Sequence, residues 1–311
     1  MNKKGLTLIE LLIVLFLLAI ILSAVYITFT TLLSDYRRET RSTEAELEKV
    51  VGLDIIRLDI THGGYGISDN ETEKVFECVN VGCSEFVIRS TFNVTNIDTQ
   101  SWIFVNTADN TVVGLPKSSL KYVYIDTDKK LLKDKASWAN RPTAGKYIAF
   151  PLQDNATGCS VQTCTKITYS LSNFNLPNTC NPNTYKLLRA VNNSNGVPII
   201  DCVADFTVRF DYDNNSDGKI NLNEELLRYS DISGDDAVTF RKKLKRVRVF
   251  LLLQDGGFDR NFDFQGPIVN GKIDVDNDGS CDNNEVCLQL PNDYQHYRWK
   301  TVEYTIKPMD L

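Results

Sequence analysis

The chain has 311 residues, 42% of them hydrophobic, with 34 Lys and Arg against 40 Asp and Glu. That length can bury one large core or two modest ones. A net charge of -6 with pI near 5.1 argues against a general nucleic-acid binder, which carries basic excess.

Lys3 and Lys4 precede an uncharged run from Leu11 to Leu33, long enough to cross a hydrocarbon core as a helix. Cations stay on the inner side, which puts the remainder of the chain outside. A cleaved secretory signal would have a shorter apolar region with small residues before its cut, and Leu22-Ser23-Ala24 begins with the wrong residue. A plain single-pass anchor explains all of this except Glu10. An acidic residue at the centre of a membrane helix costs about 2.5 to 3.5 kcal/mol, and less near the interface, so Glu10 asks for a partner. Cleavage between Gly5 and Leu6 would create one, because the new α-amino group lies one helical turn from Glu10, or within reach of the Glu10 of an adjacent subunit. In a stack of such helices the charge acts as a register device, since misaligned neighbours leave it unpaired in lipid.

From Ser34 the chain is charged but keeps an apolar stripe at Leu47, Val51, Ile55 and Leu58, with Val50 beside it. Helical spacing of that kind predicts a continuation of the helix with one face toward a core, and a solvated charge pattern on the other. His62-Gly63-Gly64 ends it, because consecutive glycines break propagation. With no second histidine nearby, His62 reads as a helix-end residue and not as a metal ligand.

Beyond Gly66 the pattern changes to short runs rich in β-branched and aromatic residues, separated by Asn, Asp, Gly and Pro. Strands are predicted to start near residues 86, 101, 122, 146, 166, 185, 205, 246 and 301. Several alternate fully, which predicts an antiparallel sheet packed on the second half of the helix. Their aromatic residues read as core and cross-strand pairs. The expected organisation is a leader at 1–5, a membrane helix at 6–33, its amphipathic continuation at 34–62 and a β-rich domain at 63–311. The expected fold class is α+β.

Eight cysteines fall only in this polar part. Their spacing favours disulfides Cys78 to Cys83, Cys159 to Cys164, Cys180 to Cys202 and Cys281 to Cys287, which implies an oxidising compartment. Structural zinc would need Cys-x-x-Cys knuckles or Cys/His clusters, and the chain has neither. No nucleophile stands with a base, and no Gly-rich phosphate loop is in a plausible place, so no enzyme activity is expected. The run Arg241-Lys-Lys-Leu-Lys-Arg-Val-Arg248 could touch DNA. Without aromatic interleaving it reads as a solvated face leading into a strand, and nucleic acid is not an expected partner.

Asp213-Asn-Asn-Ser-Asp-Gly-Lys-Ile-Asn-Leu-Asn-Glu224 reproduces the twelve-residue EF-hand calcium loop. Asp213, Asn215 and Asp217 fill the first three ligand positions, Gly218 the tight turn, Lys219 a backbone carbonyl, Asn221 a side chain or bridging water, and Glu224 the final bidentate carboxylate. A second run supplies Asp274, Asp276, Asp278, Ser280, Asp282 and Glu285 at the same spacing, with Cys281 where a hydrophobic residue normally sits. Calcium takes about six to eight hard oxygens around such a turn, while Asp/Asn-rich surface turns without metal are the competing reading. Because a strand and not a helix precedes each loop, isolated structural Ca2+ sites are expected, not paired sensors that open on binding.

Lys-Lys-Gly followed by Leu-Thr-Leu-Ile-Glu-Leu-Leu-Ile-Val closely resembles the signal of type IV prepilins and type II secretion pseudopilins. The resemblance implies cleavage after Gly5 by a prepilin peptidase, methylation of the Leu6 amine, and assembly with other pilin or pseudopilin subunits through the N-terminal helix. Family members usually have Phe where this chain has Leu6. The order of a long helix ending near Gly63-Gly64, a middle strand pair around Ile167 and Leu187, and strands from Asp205 and Arg246 looks like PilW-type minor pilins and J-type pseudopilins. It implies a low-copy subunit near a filament tip, held in the bacterial inner membrane before assembly and then part of a cell-surface pilus or a periplasmic pseudopilus. A membrane-anchored calcium-dependent adhesin that never polymerises is the alternative from another class, and Glu10 discriminates, since a mere anchor gains nothing from it.

Overall fold

The computed structural model describes residues 8–65, 67, 73–80, 82–90, 102–129, 131–151, 164–192, 194–281 and 285–309. The chain divides into two units, Met1–Val50 and Val51–Leu311. The first contains most of helix α1 (Leu8–Thr61). Its stretch Leu11–Leu33 is long and apolar enough to cross a bilayer, with mean hydropathy 2.9.

The second unit begins with the last residues of α1 and continues into strands. β1 (Phe76–Cys78) and β2 (Glu85–Ser90) come first, followed by β3 (Ile103–Asn106), β4 (Thr111–Val113), β5 (Lys121–Asp126), β6 (Leu131–Ser137) and β7 (Lys146–Pro151). Next are β8 (Thr165–Ser172), β9 (Tyr185–Val191) and β10 (Val197–Tyr212). The short helices α2 (Tyr229–Ile232) and α3 (Ala237–Lys243) lead into β11 (Leu244–Asp255). β12 (Ile268–Val269), β13 (Lys272–Asp274), β14 (Cys287–Gln289) and β15 (Arg298–Ile306) complete the order. An N-terminal apolar helix with a large antiparallel β domain is the α+β arrangement that the sequence predicts, and it is consistent with a pilin-like fold. Each of the nine predicted strand runs is realised, but in two sheets instead of one, and a third sheet is built from short strands that the sequence did not predict.

The main sheet has the order β1-β2-β8-β9-β10-β11-β15, with antiparallel pairing throughout. Its centre explains the unbroken apolar run in β11. Val247, Val249, Leu251 and Leu253 point into one core with Leu53, Ile56 and Ile60 of α1. Phe250 and Leu252 point the other way, into a core shared with Ile273, Leu288 and Trp299. A strand covered on both faces does not need polar alternation. The three-stranded sheet β12-β13-β14 supplies that second cover. The five-stranded sheet β4-β3-β7-β5-β6 has its own core of Ile103, Val105, Tyr122, Tyr124, Tyr147 and Ala149. In the chain it is inserted between β2 and β8, which are hydrogen-bonded neighbours in the main sheet.

The packed face of α1 differs from the predicted stripe. Leu47, Val50, Val51 and Leu58 are exposed, whereas Gly52, Leu53, Ile56 and Ile60 are buried. The physical reason is Gly52. A Cβ there would lie 2.4 Å from the Ile199 carbonyl oxygen and 2.5 Å from Ile200 Cγ1, so the helix meets β10 backbone to backbone at a residue that has no hydropathy to contribute. The predicted helix end holds. α1 stops at Thr61, His62 Nδ1 lies 2.8 Å from the Leu58 carbonyl, and Gly64 adopts φ +85.

Candidate functional site

The first acidic loop leaves the end of β10 and reaches a 3-10 turn at Leu222–Glu224. Asp213 and Glu224 are buried at its two ends. The Asp213 carboxylate accepts from the Asp217 N–H at 3.1 Å and the Gly218 N–H at 2.9 Å. Gly218 is needed for its φ of +81, since an added Cβ would meet no atom within 4 Å. Glu224 accepts from the N–H groups of Asn215 at 3.2 Å and Asn221 at 3.0 Å, and from the Asn221 side chain at 3.1 Å. Asp217 accepts from Lys219 N–H at 2.8 Å and from the Asn215 amide at 3.1 Å. These bonds close the loop around the buried Asp213 and Glu224, while Asn215, Asp217, Lys219 and Asn221 are exposed, and among the described residues Asp213, Asp217 and Glu224 do not bring their oxygens within 4.8 Å of one another. Burial works against the Asp213 charge, but the Gly218 N–H and Lys245, whose Nζ is 3.5 Å away, hold its carboxyl below the usual carboxylate range.

The second loop repeats this construction between β13 and β14. Asp274, buried like Asp213, accepts from Asn277 N–H at 3.0 Å and from Gly279 N–H at 2.8 Å. In both loops the sixth-position glycine thus donates to the first-position carboxylate. Oxygens of Asp274, Asp276 and Asp278 lie within 4.8 Å of one another. The hydrogen bond to Asp274 is the main cause pushing the Asp276 carboxyl up to about 6, with burial and the charge of Asp278 adding to it. Asp278 accepts from Ser280 N–H at 2.8 Å, and the Ser280 hydroxyl donates to Glu285 at 2.7 Å. Asp282 lies outside the described residues. An all-oxygen donor set of this kind fits a hard divalent cation.

Between described residues the structure has the predicted disulfides Cys78 to Cys83, Cys180 to Cys202 and Cys281 to Cys287. Cys164 is disulfide-bonded, but Cys159 lies outside the described residues. Gly5 and Leu6 also lie outside them, and Glu10 is placed only by its backbone within α1.

Most of the basic run is engaged within the domain. Arg246 and Arg248 reach the fully buried Asp211 at 2.5 and 3.0 Å. Lys243 reaches Asp235 at 3.1 Å, and the Arg241 guanidinium donates to the Ile67 carbonyl at 2.6 Å. Sequence reasoning missed the roles of Lys245 and Asp211. Lys245 meets Asp213 and Asp211 meets Arg246 and Arg248 only through the β10 to β11 register, which pairs Asp211 with Arg246 and leaves no mark in either segment alone.

Residues 1–26 match the family model of the prokaryotic N-terminal methylation motif. No curated protein and no solved structure matches the chain. The match spans Gly5, Leu6, Glu10 and more than half of the apolar stretch. Together with that stretch it supports a membrane-anchored type IV pilin-like or pseudopilin-like protein, and it implies prepilin peptidase processing and assembly with other pilin subunits.

Proposed function

We propose that this chain is a low-copy, non-enzymatic subunit of a type IV pilus, a minor pilin at or near the filament tip that primes assembly or contacts targets. The observation that carries this reading is the methylation motif at 1–26 running directly into the apolar stretch Leu11–Leu33 of α1. A globular unit reaching from Val51 to Leu311 suits a terminal position, where neighbours do not enclose it on all sides. The same motif would serve a secretion pseudopilus. The calcium-dependent adhesin reading draws on the two loops, with Ca2+ held by Asp213, Asn215, Asp217, the Lys219 carbonyl, Asn221 and Glu224 in the first, and by Asp274, Asp276, Asp278, Ser280, Asp282 and Glu285 in the second. Bound calcium would supply positive charge that cross-links each loop. Mass analysis of the mature protein should find Leu6 at the N-terminus, and Glu10→Ala should insert in the membrane but fail to enter filaments. A mature chain beginning at Met1, or equal incorporation of the variant, removes the proposal.

A further inference from the structure

The pairing of β10 with β9 ends at Val203, and farther along β10 the bridge from Phe210 to Leu227 takes its place. Phe210 and Leu227 exchange both backbone hydrogen bonds, at 3.0 and 2.9 Å, so antiparallel geometry carries Arg228 to the position opposite Arg209, on the same face. On its other side Arg209 is paired with Arg248 of β11. Three arginines therefore stand in a row across the sheet. Like charges directly opposite one another are destabilising, and only one of the three is neutralised. Arg248 meets Asp211 at 3.0 Å, Glu225 at 3.4 Å and Glu303 at 3.6 Å. Among the described residues no carboxylate forms an ion pair with Arg209 or Arg228. Arg209 is only 9% exposed, and its Nη1 donates to two neutral oxygens, Thr207 Oγ1 at 2.8 Å and the Val208 carbonyl at 3.1 Å. Asp205 and Asp231 act on it from a distance; the first accepts from the N–H groups of Phe206 and Gln289, the second from the Arg228 N–H and the Ser230 hydroxyl. Arg228 Nε is buried without a hydrogen-bond partner. Burial first, and then the Arg228 charge, push the Arg209 guanidinium below its ordinary value.

We propose that Arg209 and Arg228 form a binding site for a phosphate group. A buried charge without a counter-charge is costly, and the guanidinium fork matches phosphate oxygens through paired N–H donors. Charge count selects the ligand. A phosphate group carries about -1.5 to -2 at pH 7 and can balance both arginines, whereas a carboxylate leaves one of them unmatched. Arg228 is half-buried and marks the side from which a small anion would enter, with Arg209 beneath it.

The test uses the full chain in detergent at constant ionic strength, with inorganic phosphate replacing chloride and a chelator present throughout so that the acidic loops play no part. Calorimetry should show phosphate binding, and the melting temperature should rise with phosphate, as it does for any ligand of the folded state. Arg228→Met should weaken binding at least about tenfold, the loss expected for charge-assisted hydrogen bonds. In chloride alone the same variant should melt above the wild type, because Arg209 no longer faces a like charge. Arg228→Lys keeps the charge without the fork and should fall between the two. Arg260→Met, at an exposed arginine, should bind as the wild type does. Glycerol phosphate binding as tightly as inorganic phosphate would identify the phosphate of a larger molecule as the ligand, and binding of inorganic phosphate alone would identify the free ion. The proposal is overturned if the wild type takes up no phosphate, if acetate binds as tightly, or if Arg228→Met binds phosphate unchanged.

Discussion

Asp59 near the end of α1 and Arg189 on β9 form a two-pronged ion pair, with Nε to Oδ2 at 2.6 Å and Nη2 to Oδ1 at 3.0 Å. The buried Tyr169 hydroxyl of β8 donates to Asp59 Oδ2 at 2.5 Å. Both side chains are half-buried, and removing one partner leaves the other charge partly desolvated. Asp59→Ala should therefore destabilise the domain by about 1 to 3 kcal/mol, and Arg189→Met by less, since Asp59 keeps Tyr169. Chemical denaturation checks this, and equal small losses in both variants would contradict it.

Gly52 supports a prediction whose sign opposes helix propensity. Alanine favours an exposed helix interior by about 1 kcal/mol over glycine. Here the added methyl would sit 2.4 Å from a backbone oxygen of Ile199, which cannot rotate away. Gly52→Ala should lower stability by about 1 to 3 kcal/mol through overpacking, read as a lower melting temperature. A stabilised variant would show that the helix and β10 are not in this contact.

These two residues mark how far the sequence could be read. Long alternating or fully apolar runs such as those of β8 and β11 identify themselves, because burial on one or both faces sets their pattern. The phase of α1 was misread because Leu47, Val51, Ile55 and Leu58 keep helical period, while Gly52, the true contact, is silent in hydropathy. Strands β12 to β14, of two or three residues each, are too short to show a period at all. β6 is assembled from Leu-Leu-Lys-Asp-Lys-Ala-Ser and becomes a strand by pairing with β5, not by propensity. The shared build of the acidic loops is legible, because Gly218 and Gly279 stand five residues after Asp213 and Asp274 and donate to those carboxylates. Asp211 and Lys245 were not, because their roles exist only once β10 and β11 are in register.

The Asp235 carboxylate supplies a pH prediction. Hydrogen bonds from the Tyr212 hydroxyl at 2.5 Å and from Lys243 at 3.1 Å hold it below the usual carboxylate range. A depressed folded-state pKa contributes stability that is present above the unfolded value, near 3.9, and is lost as pH falls through the folded value. Asp235→Asn should thus lower stability at pH 7 and flatten its decline below about pH 4. Urea unfolding across pH 2 to 7 measures the slope. An Asn variant with the wild-type acid slope would assign that slope to other carboxylates.

Lys245 offers a test of the first loop that chelation alone cannot. Saturating calcium should raise stability by about 2.7 kcal/mol per site at one hundred times the dissociation constant, and a chelator should lower the melting temperature. Asp213→Ala with Glu224→Ala should abolish the share that belongs to the first loop. The Lys245 ammonium, 3.5 Å from the buried Asp213 carboxylate, already neutralises part of the charge that calcium needs. Its aliphatic stem can be kept and its charge removed by Lys245→Met. Without metal this variant should be less stable, because Asp213 loses its cation. Calcium affinity at the first loop should rise severalfold, because a like charge no longer opposes the incoming ion, and the gap in melting temperature between calcium and chelator should widen. Calorimetry in a background with Asp274→Ala and Glu285→Ala isolates this site. Unchanged or weaker calcium binding by Lys245→Met would mean that Asp213 is not the residue that meets the metal.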